Sequence, residues 1–548
     1  MSKDIQPIFI MPENTQRSTG KNAQRNNILA AKTVADIVRT TLGPKGMDKM
    51  IVDNLGEITI TNDGVTILRQ MSIEHPAAKM LVEIAKTQEA EVGDGTTTVV
   101  VLAGELLKHA EYLLDQNVHP TVIAKGYRIA SEKAMQILDA MSKPIVDTDI
   151  DLLKNLAITA ITGKEAESSK EVLSDLIVNA CLSVLDKKKD NNKTTLHIDK
   201  EDIKIEKNVG GAVNESELIE GIVLDKEKVH PSMPSSVKDA KIALLDGAIE
   251  IKNTEIDAKI QITDPEKMQA FLDMEERMLR SMVDKIVSSG ANVVICQKGI
   301  DDLAQHFLAK KNIYAVRRVK KSDMEKLAKA TGAKIITDIK ELNSTDLGYA
   351  GFVEEVNNKN ENMTYVRKCK NAKAVTILVK GSSEHVVAEV ERALEDGIGV
   401  VISALKKGKI VAGAGACEVE LSKQLREFSE SLSGKEQLAV KAFADAMDII
   451  PKTLAENAGL DPIDIIVLLK AAHDKKQVTA GIDVFTGKVI DAYKEGIIEP
   501  LKIKTQAVRS AAEVATMILR IDDVIAGGSS QSSQQMPPGM GGQGMPEY

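Results

Sequence analysis

The strongest constraint on this chain is that its two ends are alike and its middle is not. Residues 1–146 read mostly as long amphipathic helices, and helices return after 376 and persist to Ala526. From Asp147 to about Glu217 helices continue, broken by a polar loop at Lys187–Thr195. From about 218 to 375 the pattern changes to short strands alternating with helices. Lys241–Leu245, Asn292–Cys296, Ile313–Val316 and Lys334–Thr337 read as buried strands, and Ile300–Ala309 and Ser322–Ala330 as helices. Matching ends around a different middle are not domains in series. The pattern predicts an α+β multidomain chain with a mostly helical discontinuous base, a small hinge crossed twice, and an inserted α/β head. The expected pieces are base 1–146 and 411–526, hinge 147–217 and 376–410, and head 218–375. With 548 residues there is room for about three or four well-buried cores.

Composition narrows the class. No Trp and only 3% aromatics leave Ile, Leu, Val, Ala and Met to build the cores. A net charge of −9, with no basic run interleaved with aromatics, argues against generic nucleic-acid binding. Lys187-Lys188-Lys189 runs into Asp190-Asn191-Asn192 and reads as a solvated loop. No apolar run approaches the ~18 residues of a membrane span and no signal peptide is evident, so a cytoplasmic protein without membrane contact is expected. Cys181, Cys296, Cys369 and Cys417 lack metal-ligand spacing and read as free buried thiols.

Three loops carry chemistry. Gly93-Asp94-Gly95-Thr96-Thr97-Thr98 lies between a helix from Pro76 to Ala90 and another carrying Val99, Leu102, Leu106, Leu107, Leu113 and Leu114. A helix N-terminus offers free N–H groups to phosphate, glycines allow close approach, and Asp can hold a hard cation such as Mg²⁺. An ordinary helix–turn–helix joint would explain the same residues. Leu42-Gly43-Pro44-Lys45-Gly46 ends a further helix, for which a simple C-cap suffices. Glu57–Leu68 reads as a hairpin turning at Asn62-Asp63-Gly64, with Val65 and Ile67 on its second strand. Together, three Gly/Asp loops at the ends of regular elements suggest the wall of one phosphate site.

In this order and context, TLGPKGMDK at Thr41–Lys49, TNDGVTIL at Thr61–Leu68 and GDGTTT at Gly93–Thr98 resemble the signature blocks of the chaperonins. Gln24–Ala31 and His75–Lys79 are similar to group II chaperonins of the archaeal thermosome type, and the likeness runs from about Pro12 to Ala526. The resemblance implies equatorial, intermediate and apical domains. It also implies a homo- or hetero-oligomeric double ring that encloses unfolded polypeptide clients, driven by ATP and Mg²⁺. Asp94 would be the metal ligand, Gly95, Thr96, Thr97 and Thr98 would hold phosphate oxygens, and Leu42 and Gly43 would lie against the nucleotide. Asp63 would help position the metal shell or the attacking water, Asp396 would be the catalytic carboxylate, and Lys164 would sense the γ-phosphate. Gly413 and Gly415 would flank the nucleoside, with Glu499 near the ribose. Two departures from the family pattern stand out. Ala414 interrupts a glycine run, and strains the turn if φ is positive there; Gly397 follows the catalytic Asp where Ala is usual.

Asp264-Pro265 opens a helix to about Val287 with a stripe of Met268, Phe271, Met274, Met278, Met282 and Ile286. Such a stripe is most often core. The resemblance instead makes about 250–287 a helical protrusion that forms a built-in lid. The tail 527–548 is Gly/Ser/Gln/Met/Pro-rich and expected to be disordered. Rival classes fare worse. No Gly-Lys pair is followed by the Ser or Thr of a P-loop, and the α/β middle lacks a dinucleotide fingerprint. A ring-forming holdase or scaffold with little turnover remains the alternative, opposed by Asp63, Asp94, Lys164 and Asp396 occurring together.

Overall fold

The computed structural model describes residues 16–52, 56, 58–190, 193–251, 265–358, 361–370 and 372–526. The tail 527–548 and part of the proposed protrusion, 252–264, lie outside them.

The helical ends share one core. Gly20–Arg39, Pro76–Val92, Thr96–Asp115 and Pro120–Met141 pack with Ala416–Glu430, Glu436–Met447, Ile449–Asn457 and Leu501–Leu519. Small and aliphatic side chains let these helices approach closely. The aromatic exception is Tyr127, edge-on to Phe443 at 5.6 Å, its hydroxyl donating to the Leu106 carbonyl at 2.7 Å. Strands Gln16–Thr19 and Asp523–Ala526 pair antiparallel and close this unit, with Arg17 reaching Asp523.

A second core joins Ile150–Ile161, Lys170–Ser183 and the long helix Glu384–Lys407. Beside them, Ile203–Val209, Val375–Gly381 and Glu217–Ile219 form a three-stranded sheet, parallel between the first two. Here the sequence reading needs correction. The segment to Glu217 is not helical throughout, and helices do not resume at 376. Val375-Thr376-Ile377-Leu378-Val379 is a buried β-branched run that pairs with a strand some 170 residues earlier, which local periodicity does not reveal. Likewise, Lys187–Thr195 is not a plain loop: strands Asp186–Asp190 and Lys193–His197 pair within it.

The middle forms a seven-stranded mixed sheet. Tyr314–Val316, Val293–Cys296, Ser236–Leu245, Gly348–Asn358, Glu361–Arg367 and Gly221–Leu224 lie side by side, and Ile335–Ile336 pairs off this path. Ile242 and Leu244 face one core while Ala243 and Leu245 face another, so the sheet is buried on both sides. Helix Pro265–Ser289 leaves this body. Leu279, Val283 and Ile286 are buried, whereas Phe271, Met274 and Met278 are 44, 58 and 43% exposed. The Met stripe is therefore not ordinary core along its first half. All four cysteines are buried and free.

Candidate nucleotide site at the junction of two cores

The hairpin read over Glu57–Leu68 is displaced. The strands that pair are Lys49–Val52 and Ile58–Thr61, and Gly64–Gln70 is a helix. Asp63 is its N-cap: Oδ2 accepts from the Thr66 N–H at 3.0 Å and its hydroxyl at 2.7 Å. Val65, Ile67 and Leu68 are then buried together, which outweighs the strand preference of β-branched Val65 and Ile67. Asp63 Oδ1 accepts from the Thr96 hydroxyl at 3.2 Å, so two of the three loops touch directly.

Gly93 ends the Pro76–Val92 helix in the left-handed conformation, φ 77°, and Gly95 starts the next helix at φ 79°. Asp94 lies between, its Oδ1 accepting from the Gly95 N–H at 2.7 Å. No side chain caps the Thr96–Asp115 helix, so its first N–H groups face the cleft with the three threonines. Gly415 starts the Ala416–Glu430 helix, also without a side-chain cap and also at the cleft. Two positive helix ends thus open onto one cavity of about 420 Å³.

Opposite them stand groups from the second core. Lys164, in the turn after Ile150–Ile161, pairs with Asp396 on the Glu384–Lys407 helix. Their side chains are only 17 and 20% exposed. Burial, with Asp94 and Asp63 close by, pushes the Asp396 carboxyl up to about 7 despite the ammonium beside it. Burial alone would lower Lys164, but Asp396, Asp94 and Asp63 outweigh it and hold the ammonium above its ordinary value. The cavity therefore draws Asp63 and Asp94 from one core and Lys164 and Asp396 from the other. The cores meet at tight contacts: the Asn62 amide donates to the Gly163 carbonyl at 3.0 Å, and Gly93 lies against Gly399.

Leu42, Gly43, Asp63, Asp94, Gly95, Thr96, Thr97, Thr98, Lys164, Asp396, Gly415 and Glu499 all line this cavity. Gly413 does not; it lies behind the wall, and a Cβ there would come 3.0 Å from Glu499 Oε1. Ala414 does carry a positive φ, 55°. Sequence reasoning missed the apolar end, formed by Ile450, Leu454, Ile482, Val484 and Phe485, and the polar pair Asn155 and Thr159. No local motif marks them. It also missed Lys504, buried between Glu418 at 2.8 Å and Glu499 at 2.9 Å. Burial raises the Glu499 carboxyl against the pull of that ammonium.

Among the described residues, no three His, Cys, Asp or Glu side chains are grouped to hold a metal by themselves. The donor set suits a hard cation such as Mg²⁺, which takes one or two carboxylates and completes its shell with phosphate and water. One end of the cavity is thus anionic and cation-seeking beside free helix N–H groups, and the other is apolar. That polarity matches a nucleoside polyphosphate.

Fold and site together define a chaperonin, and comparison with known proteins agrees: the chain belongs to the TCP-1/cpn60 chaperonin family, whose model matches residues 34–529. Its kind within that family is group II, the archaeal thermosome type. It is 59% identical over 542 residues to the thermosome subunit beta of Archaeoglobus fulgidus, covering 99% of this chain and 98% of that one. It is 60% identical over 526 residues to a thermosome subunit of Methanopyrus kandleri, covering 96% of each. Among solved structures it resembles the open-state monomer of a group II chaperonin from Methanococcoides burtonii, with TM-score 0.58 and 48% identity, covering 78% of this chain and all of that one. Among the described residues, no helix is long and apolar enough to cross a membrane.

Proposed function

We propose that this chaperone is a subunit of an ATP-driven folding chamber, a homo- or hetero-oligomeric double ring in the cytoplasm that encloses unfolded polypeptides. In this reading the three packed regions are the equatorial (1–146, 411–526), intermediate (147–217, 376–410) and apical (218–375) domains. The cavity between the first two is an ATP hydrolase site. The single observation that carries the reading is the meeting of Asp63, Asp94, Lys164 and Asp396 at an uncapped helix N-terminus. Mg²⁺, held by Asp94, would neutralise charge on the β- and γ-phosphate oxygens.

The protein's own groups do the rest. Backbone N–H groups and hydroxyls of Thr96, Thr97 and Thr98 bind phosphate oxygens, while Ile450, Leu454, Ile482 and Val484 exclude water from the base. Asp396, once ionised, accepts a hydrogen bond from the attacking water and orients it. Lys164 pairs with Asp396, and a γ-phosphate competes for that ammonium. Lys164 and Asp396 belong to the intermediate core and the phosphate cradle to the equatorial one. Hydrolysis therefore requires the two docked together, and loss of the γ-phosphate removes a contact between them. The exposed Phe271, Met274 and Met278 give the head an apolar helix face suited to meeting its counterparts in a lid.

Phosphate release and nucleotide binding, measured on two variants, test this. Asp396→Ala should bind Mg·ATP as the wild type does and lose most turnover, about a hundredfold or more. Asp94→Ala should weaken Mg²⁺-dependent binding itself. Wild-type turnover in the first variant would remove Asp396 from the mechanism. Client binding by a wild-type protein that hydrolyses nothing would favour the holdase.

A further inference from the structure

The head carries a second chemistry, remote in sequence from the nucleotide loops. On the sheet Ser236–Leu245, Gly348–Asn358 and Glu361–Arg367, two half-buried rings are ringed by exposed lysines. Lys238 and Lys368 both reach the Phe352 ring, at 5.8 and 5.4 Å, and Lys370 lies 5.0 Å from the Tyr349 ring. Lys241, paired in register with Tyr349, adds a fourth ammonium. Among the described residues, none of these four lysines has an ion-pair partner, whereas most of their neighbours do: Arg367 is held by Glu354 and Glu217, and Lys228 by Glu355. Asp239, on the same strand, accepts from the Tyr349 hydroxyl at 2.7 Å, a bond that leaves its negative charge in place, and pairs with none of the four.

The backbone is shaped around this cluster. Asp239 and Lys368 have φ of 47° and 58°, left-handed conformations that neither residue adopts without cost. The Gly351 N–H donates to the Lys368 carbonyl at 3.1 Å, tying the bend on one strand to the next. Val237 and Val353 face the same core as Ala240 and Ala350, so strict alternation breaks between them. That break turns Lys238 and Phe352, directly opposite each other, to the outside. Exposed like charges gathered on two rings, none of them in an ion pair among the described residues, present a positive potential to solvent at little cost in stability.

We propose that this patch is a docking site for acidic polypeptide segments. Charge complementarity selects the occupant: four unpaired ammoniums stand out on a chain of net charge −9, which otherwise repels acidic chains. The rings, already covered by ammoniums and half-buried, offer apolar edges to a peptide side chain rather than open faces for stacking bases. The site is separate from the nucleotide cavity and needs no nucleotide.

Fluorescence anisotropy of the full-length protein, without nucleotide, tests it with a labelled peptide of alternating Glu and Tyr. Binding should weaken about tenfold or more between about 50 and 300 mM salt. Lys368→Gln/Lys370→Gln should lose about tenfold at low salt, as should Lys238→Gln alone to a smaller extent, with thermal melts unchanged. A peptide of alternating Lys and Tyr should not bind. Equal binding of the Glu–Tyr peptide by folded variants would overturn the proposal, as would equal binding of the two peptides. Tighter binding of a single-stranded oligonucleotide of the same length, lost in the same variants, would assign the patch to nucleic acid instead.

Discussion

Gly399 sets the distance between the two halves of the site, and Gly399→Ala should show it. A Cβ at 399 would lie 2.9 Å from Gly93 Cα and 3.1 Å from the Val92 carbonyl oxygen, both backbone atoms that cannot rotate away. Restoring ordinary contact requires the Glu384–Lys407 helix to retreat by about 0.5 Å from the Pro76–Val92 helix end. Overpacking of this kind costs about 1–3 kcal/mol, and the helix propensity gained from Gly to Ala offsets about 1. The net loss of stability should be no more than about 2 kcal/mol. Asp396, one turn earlier on the same helix, moves with it while Asp94 stays. If about 1 Å of misplacement costs a hundredfold in rate, half of that costs about tenfold, or about 1.4 kcal/mol in the barrier. Phosphate release at saturating Mg·ATP should therefore fall about tenfold, with nucleotide affinity changed less than about twofold. Gly397→Ala is the control. Its Cβ would come too close only to Ile177 Cδ1, at 2.5 Å, the movable end of a side chain, with Ile177 Cγ1 and Ile161 Cγ1 at ordinary contact distance. It should keep near wild-type turnover and gain up to about 1 kcal/mol. Wild-type turnover in a folded Gly399→Ala protein would refute the idea that this contact positions Asp396.

Other outcomes follow from the same geometry. Because the Asp396 carboxyl is held up at about 7, it loses its charge below that pH; kcat/KM for Mg·ATP, which reports groups of the free enzyme, should rise through about 7, and a flat profile from 5.5 to 8.5 would contradict it. Lys164→Ala should still bind ATP but fail to protect the head from protease when nucleotide is added; unchanged protection would remove Lys164 from sensing. Phe271→Ser/Met274→Ser should alter stability by less than about 0.5 kcal/mol yet impair client enclosure, while Val283→Asp should unfold the head; equal destabilisation by both would return the stripe to the core. Ala414→Gly relieves a residue at φ 55° and should raise the melting midpoint, corresponding to about 1 kcal/mol; a lowered midpoint would mean that the methyl's packing outweighs the strain.

What could be read from sequence was local. The Gly93–Thr98 turn, with its two left-handed glycines, announces itself because glycine adopts that conformation at least cost. The strands at 293–296 and 314–316 are short apolar runs between helices of helical period, and they fold as read. The stretch 65–68 read as the second strand of a hairpin and is a helix, because only its burial distinguishes the two. Long-range pairings were invisible: nothing near Ile203 points to Val375, and nothing near Asn155 points to Gly496. The charged end of the cavity was readable through motifs. Its apolar end was not, since Ile450, Leu454 and Val484 look like any core residues until the helices are packed.

In the proposed mechanism one cavity, built from two cores, holds the phosphates of ATP and couples their loss to movement of the head. The most direct measurement is electron cryomicroscopy of the assembled protein with Mg·ADP and aluminium fluoride, compared with the nucleotide-free protein. Density for the phosphate mimic is expected between Thr96–Thr98 and Asp396, with Lys164 turned toward it and the heads drawn together. Nucleotide density elsewhere, or a filled cavity with unmoved heads, would contradict that mechanism.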